Sequence, residues 1–199
     1  MKKITDESIY EILVDRGFVR ERRKINLFLT CEPQVVTPAF LCNIIRRRGR
    51  VAIGGAVGLF FPEFESIWAN SISKEENQID TTLPIVKLIE NFNCLIDSGI
   101  LRYNELDSIG RSASIIYDFI SFFPKSIDEF YEVLLCKELL GKSFSSYLHI
   151  VNYNDDDNLY YRKSVSFIYW FIKTYPQYSE RMYECLSHDQ QQRLGFRSS

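Results

Sequence analysis

The residue types able to do chemistry are few in this chain, and their spacing argues against most enzymatic uses. There are two histidines. His149 sits among apolar residues and reads as a satisfied core or surface residue rather than a base. His188 follows Cys185 by three positions, so one helix face would bring thiol and imidazole together as a nucleophile and base require, but the tail of the chain is a poor place to hold such a pair. There is no H-E-x-x-H and no Cys/His spacing suited to zinc. Gly54, Gly55 and Gly58 match neither G-x-G-x-x-G nor G-x-x-x-x-G-K-[ST]. They lie three or more residues before the helix that would have to offer its amides to a phosphate, and close backbone packing is the better use for them. "GRSASI" lacks the G-x-S-x-G elbow. The sequence implies no catalytic residue, no metal site and no cofactor, although 26 acids allow many carboxylate pairs in space.

Two charged features remain as candidate binding sites. The first is "NYNDDDN", Asn152–Asn158. It resembles a calcium loop in composition only: Asp155, Asp156 and Asp157 are consecutive, no glycine follows, and the twelfth position from Asp155 is Ser166 instead of glutamate. Its simplest role is an exposed loop whose Asp157 or Asn158 caps the next helix. As a site, Asp155, Asp156 and Asp157 with Tyr153, Tyr160 and Tyr161 would hold a basic protein, because carboxylates pair with Arg/Lys and tyrosine rings supply contact area. The second feature is basic. Arg46, Arg47, Arg48 and Arg50 surround Gly49, and Arg20, Arg22, Arg23 and Lys24 precede the first long apolar run. A basic turn can grip phosphates, pair with acids, or meet an acidic protein. Whether the two clusters share one end of a sheet depends on strand register.

Charge is unevenly divided. Residues 1–60 hold eleven Lys/Arg against six Asp/Glu, a balance of +5, and the rest hold thirteen against twenty, a balance of −7. Five cysteines at 31, 42, 94, 136 and 185, mostly inside apolar patterns and with no C-x-x-C, fit free thiols in a reducing compartment. Acids follow the two opening lysines where a signal peptide needs an apolar stretch, and uncharged runs such as Val51–Pro62 and Ser164–Ile172 are well short of a spanning helix. A cytoplasmic protein with no membrane contact is expected.

The elements that would position these residues follow from periodicity. Thr5 caps a helix carrying Ile9, Ile12 and Leu13 on one stripe, with Asp6 and Glu7 in its first turn; Gly17 ends it, with Phe18 folding back. "KINLFLTCE" alternates as a half-buried strand, although Phe28 breaks its polar face. "AFLCNII" is a second strand, "RRRGR" a tight turn, and "VAIGGAVGLFF" a third strand. On that strand Val51, Ile53, Val57, Leu59 and Phe61 form a bulky face. Ala52, Gly54, Ala56 and Gly58 form a small one, onto which a helix is expected to pack, with a bulge possible at Gly54–Gly55.

Pro62 then opens a helix with Glu63 and Glu65 in its first turn. "SKEENQID" reads as a linker. A helix from Thr82 to Gly99 follows, then one over about 104–122 ended by Pro124. Another begins at the Ser126/Glu129 capping box and ends at Gly141. "LYYRKSVSFIYWFIKTY" is apolar nearly all round and so central. Pro176 breaks it before a last helix to about His188. Segregated strands and helices make the fold class α+β: an N-terminal helix and three-stranded antiparallel meander over residues 1–61, then a mainly helical region over 62–199, in one domain.

The passage "GGAVGLFFPEFESIW", through Gly55, Gly58, Phe64, Glu65 and Trp68, resembles small bacterial immunity proteins of polymorphic-toxin systems. Several of these carry a glycine-containing strand leading into an acidic, aromatic helix. The likeness covers about fifteen of the 199 residues. It implies a cytosolic, non-catalytic protein that binds a cognate toxin domain, and it transfers no site residue. The leading expectation is therefore an immunity or inhibitor protein that occludes a toxin's active site. A nucleic-acid-associated protein using Arg46–Arg50 is the alternative, and an unrecognised hydrolase or transferase is third.

Overall fold

The computed structural model describes residues 4–21, 26–47, 50–79, 86–89, 101–102, 106–135, 138–139, 142–143, 159–184 and 188–193. The first helix, α1 (Asp6–Asp15), forms as its ends dictate. The Ser8 amide donates to Thr5 Oγ1 at 3.2 Å and the Thr5 amide donates to Ser8 Oγ at 3.0 Å, so two otherwise orphaned donors are satisfied. At the other end Gly17 takes φ +99°, its amide donates to the Val14 carbonyl, and the Phe18 amide donates to the Leu13 carbonyl. This is a complete Schellman motif, and its two apolar partners, Leu13 and Phe18, lie in one buried cluster.

Six strands then form one antiparallel sheet: β1 (Val19–Arg20), β2 (Leu27–Leu29), β3 (Thr37–Arg47), β4 (Arg50–Phe60), β5 (Val86–Ile89) and β6 (Leu101–Arg102). The expected meander is β2–β3–β4. It is extended by β1 on one side, and on the other by β5 at Val57–Leu59 and β6 at Arg50–Val51, both along β4. β5 corrects the helix expected from Thr82. Eleven residues of β4 would otherwise present a row of unpaired backbone groups, and that edge outweighs the local helical spacing of Ile85, Leu88 and Ile89.

Both faces of this sheet are buried around β2. Leu27, Phe28 and Leu29 are all inaccessible to solvent, so β2 is not half-exposed as its alternation suggests. Phe28 joins Phe40, Cys42, Val51, Ile53 and Val57 beneath α1 and α4 (Leu106–Ser121), which brings Ile109, Ala113, Ile116 and Ile120. Leu27 and Leu29 join Ala39, Leu41, Ala56 and Phe60 on the other face. Among the described residues, α1 and α4 thus pack on the bulky side of β4, where the small-residue side was expected to take a helix. The close approach of a neighbouring strand falls instead at Gly55, outside that small face: a Cβ there, at φ +142°, would lie 1.7 Å from the Leu41 carbonyl oxygen. The β3–β4 register runs unbroken through Gly54 and Gly55, and the irregularity lies instead against β5 at Val57/Gly58.

Phe61 carries the chain from sheet to helices. Its ring meets Phe130 at 5.2 Å and Phe167 at 4.8 Å, both edge-on. Pro62 then begins α2 (Pro62–Ser71). The stretch expected as a linker holds α3 (Lys74–Ile79). Its capping box is reciprocal, with the Glu76 amide on Ser73 Oγ and the Ser73 amide on the Glu76 carboxylate. The cap of α5 (Ile127–Leu135) differs slightly from the expected box: the Glu129 amide donates to Ser126 Oγ, but the Glu129 carboxylate accepts from the Lys125 amide. α5 stops before Gly141, and β7 (Glu138–Leu139) pairs antiparallel with β8 (Lys142–Ser143). As expected, α6 (Leu159–Thr174) is central to the helical region. Its Tyr161, Phe167, Ile168 and Phe171 share a buried cluster with Phe64, Trp68, Phe130 and Met182. A 3-10 turn at Pro176–Tyr178 ends it, followed by α7 (Ser179–Glu184) and α8 (His188–Arg193), where a last helix was expected. No helix among the described residues is long and apolar enough to cross a membrane.

Candidate functional site

The basic positions converge at one end of the sheet. The Glu21 amide donates to the Leu27 carbonyl and the Cys42 amide to the Asn26 carbonyl, so β1 passes into β2 at the same end where β3 passes into β4 through the Arg47↔Arg50 pair. The amino end of α1 comes to this end as well. Asp6 pairs with Arg46 at 2.5 Å and Glu7 with Arg20 at 2.8 Å, and the Arg20 guanidinium lies 4.7 Å from the centre of the Tyr10 ring. Arg46 is therefore an acid-paired residue on the α1 side of the sheet. Arg47 and Arg50 are strand positions, and Arg48, Arg22, Arg23 and Lys24 lie outside the described residues.

Of the expected acidic site, Tyr153, Asp155, Asp156 and Asp157 lie outside the described residues, and Tyr160 is placed only as the second residue of α6. Tyr161 requires a correction. It is 8% exposed and belongs to the helical core, so its ring is withdrawn from any partner. The cause is helical spacing: 161, 164, 168 and 171 follow one inward stripe, and all four residues are buried.

The nucleophile candidates separate in the same way. Burial pushes the Cys42 thiol up to about 12, so it is held as an inert thiol under the sheet. His149 and Cys185 lie outside the described residues, and His188 is exposed, 2.9 Å from Gln192.

Two features escaped the sequence reading. The first is a buried ion pair: Lys163 Nζ of α6 donates to Glu65 Oε2 of α2 at 2.9 Å, with the side chains only 4% and 6% exposed. Its neighbour Arg162 reaches Glu76 of α3 at 2.5 Å, so adjacent residues of α6 clamp α2 and α3. Nearby, Trp68 Nε1, Ser164 Oγ and Trp170 Nε1 are buried without a hydrogen-bond partner among the described residues. A lysine inside the apolar period of α6 was the available signal. This arrangement is structural, since both charges are buried.

The second feature is the outer face of α4. Ile109, Ala113, Ile116 and Ile120 point inward, which leaves Arg111, Ile115 and Asp118 on the opposite stripe, and Phe122 is the first residue past the carboxyl end of the helix. Ile115 is 56% exposed and Phe122 87% exposed, with exposed Asp118 between them. Single exposed apolar residues are ordinary, but two large ones, one on the outer face of α4 and one at the turn that ends it, with a carboxylate between them in sequence, form a ridge suited to a protein partner. Part of the signal was present in the sequence: Ile115 falls off the stripe that the rest of the helix obeys. Comparison with known proteins finds no matching family model, no matching curated protein and no matching solved structure.

Proposed function

We propose that this chain is a non-catalytic protein-binding protein, an immunity or inhibitor protein that neutralises a cognate bacterial toxin domain by covering its active site. The observation that carries the binding part is the α4 ridge, where Phe122, just past the end of the helix, is exposed to 87%, with exposed Ile115 and Asp118 on the helix before it. An aromatic in that position has no role in the chain's own core. Aromatic anchors supply most of the free energy at protein interfaces, and a neighbouring carboxylate selects basic partners. The surplus of acids beyond residue 60, a balance of −7, favours a basic target. The toxin-directed part draws on the resemblance of the Gly55–Trp68 passage to immunity proteins. Mixing the chain with the toxin domain encoded beside its gene, at micromolar concentration on a sizing column, tests the reading. A single earlier-eluting peak containing both proteins is expected, and two unshifted peaks would refute it.

A further inference from the structure

We infer, resting on the protein-binding reading, that the corner between α4 and α5 receives a basic protein surface of stated shape: an apolar pocket that takes Phe122, rimmed by arginine or lysine that meets Asp118, Asp128, Glu129 and Glu132. Phe122 stands on a fixed turn. The next residue, Phe123, packs both against the cluster around α6 and against the cluster beneath α1 and α4, and its amide donates to the Ile120 carbonyl at 3.1 Å. Pro124 is buried, and the Lys125 amide donates to the Glu129 carboxylate at 2.6 Å. The turn is thus held on both sides while Phe122 itself is 87% exposed, so seating its ring in a partner orders little that is not already ordered.

The charge around that ring is one-sided. From Asp118 to Glu132 the chain carries four acids, all exposed, against one base, the half-buried Lys125, a balance of −3. None of the four carboxylates is in an ion pair among the described residues; Asp128 accepts from the Tyr178 hydroxyl and Glu129 from the Lys125 amide, both neutral donors. Asp128 and Glu129 lie in the first turn of α5, where the helix dipole favours acids. Asp118 has no such reason: it lies in the last turn of α4, the negative end, and no base shares that turn. The fold gains nothing from Asp118 or from an exposed Phe122, and a cationic partner gives both a use. Bases on the elements packed around the corner are distant or engaged. Arg16, whose guanidinium lies over Gly110, and Arg111 are near the other end of α4, about 16 Å back along its axis at 1.5 Å per residue. Arg181 of α7 is held by Glu184 and Tyr131, Arg162 and Lys163 of α6 by Glu76 and Glu65, and Lys173 sits at the carboxyl end of α6, which favours it.

A second copy of this chain is the less favoured occupant, because a symmetric contact sets the same patch against itself and would bring the two acidic corners together. An anionic membrane is disfavoured for the same reason, since its surface attracts bases and repels carboxylates.

Stopped-flow association of the full chain with the toxin domain encoded beside its gene tests the inference. Asp118→Lys and Glu132→Lys should each slow association several-fold at low salt and together by at least about ten-fold, and the gap should close near about 1 M salt, where the Debye length is about 3 Å. Glu75→Lys, the same change of charge on α3, should alter the rate by less than about two-fold. A lysine at position 118 suits the carboxyl end of α4, so Asp118→Lys is expected to melt no lower than wild type, and Asp118→Asn should give an intermediate rate. Phe122→Ala should act on the other rate, raising dissociation roughly thirty-fold with association little changed. With wild-type binding intact, association rates unchanged in Asp118→Lys and Glu132→Lys would overturn the basic rim, and dissociation unchanged in Phe122→Ala would overturn the pocket; either leaves the protein-binding reading standing. No binding by the wild type would overturn that reading and this inference with it. Phe122-dependent dimerisation in sedimentation, or Phe122-dependent binding to vesicles containing phosphatidylserine, would assign the corner to a different occupant and overturn the inference alone.

Discussion

Removing the positive half of the buried pair, Lys163→Met, should destabilise the protein far more than removing both halves. At 2.9 Å the attraction between Lys163 Nζ and Glu65 Oε2 is about 6 kcal/mol for an effective dielectric near 20. Methionine also relieves the desolvation cost of the ammonium, which offsets part of that loss. What persists is the Glu65 carboxylate, 6% exposed and now without its lysine. Breaking one side of a buried pair costs about 3–5 kcal/mol, whereas replacing both charges with apolar groups of similar volume is often neutral or stabilising. For a chain of this length each kcal/mol moves Tm by roughly 2–4 °C, so the single variant should melt about 6–20 °C below wild type. Urea denaturation followed by tryptophan fluorescence reports directly, because Trp68 lies in the same cluster of α2 and α6. Glu65→Leu/Lys163→Met should recover most of the loss, with a coupling of at least about 2 kcal/mol. A single variant within about 1 kcal/mol of wild type, or a double variant no better than the single, would refute the reasoning.

Three other expectations concern the sheet, the α3–α6 clamp and the buried thiol. Gly55→Ala places a Cβ 1.7 Å from the Leu41 carbonyl at φ +142°, so it should cost at least about 3 kcal/mol and show as loss of soluble folded protein or a collapsed melting temperature; near-wild-type stability would contradict the β3–β4 register. The Ser73 amide and the Arg162 guanidinium hold the Glu76 carboxyl below its ordinary value. A lowered folded value means the stabilisation is present above the unfolded value, near pH 4.5, and is lost as pH falls through the folded one. Melting of the wild type should therefore drop more steeply than that of Glu76→Gln below about pH 5, and parallel curves would refute the clamp. Native Cys42, with its thiol pushed up to about 12 and buried, should react with iodoacetamide far more slowly at pH 8 than the partly exposed Cys31, as peptide mass mapping would show.

Where neighbouring residues determine structure, the sequence reading agrees with the fold. Thr5, Gly17 and Phe18 carry the whole description of α1, and the short turn implied by Gly49 matches the Arg47↔Arg50 pairing. Pro62 and Phe61 likewise announce the change from strand to helix. The errors arise where a distant element decides. Val86–Ile89 is a strand because β4 needs an edge partner, and no local pattern around residue 86 contains that fact. Leu27–Leu29 is buried on both faces because apolar residues of β3 and β4 continue its second face as well. Two misreadings were avoidable. Ser73 and Glu76 spell a capping box inside what looked like a linker, and Tyr161 follows the inward period of Ser164, Ile168 and Phe171 rather than the acidic segment before it. Of the site, the basic turn could be read, but the pairing of its Arg46 with Asp6 could not, since that contact spans 40 residues of chain.

The central claim, that the α4 ridge is the protein-binding surface of an inhibitor, is tested most directly by Phe122→Ala. Because Phe122 is 87% exposed, its removal should leave folding stability within about 0.5 kcal/mol of wild type. Titrating wild type and variant calorimetrically against the cognate toxin domain should then show a loss of about 2 kcal/mol, roughly thirty-fold in Kd, for the variant. Equal affinity of the two proteins for that domain would contradict the assignment of the ridge, and no binding by the wild type would contradict the function itself.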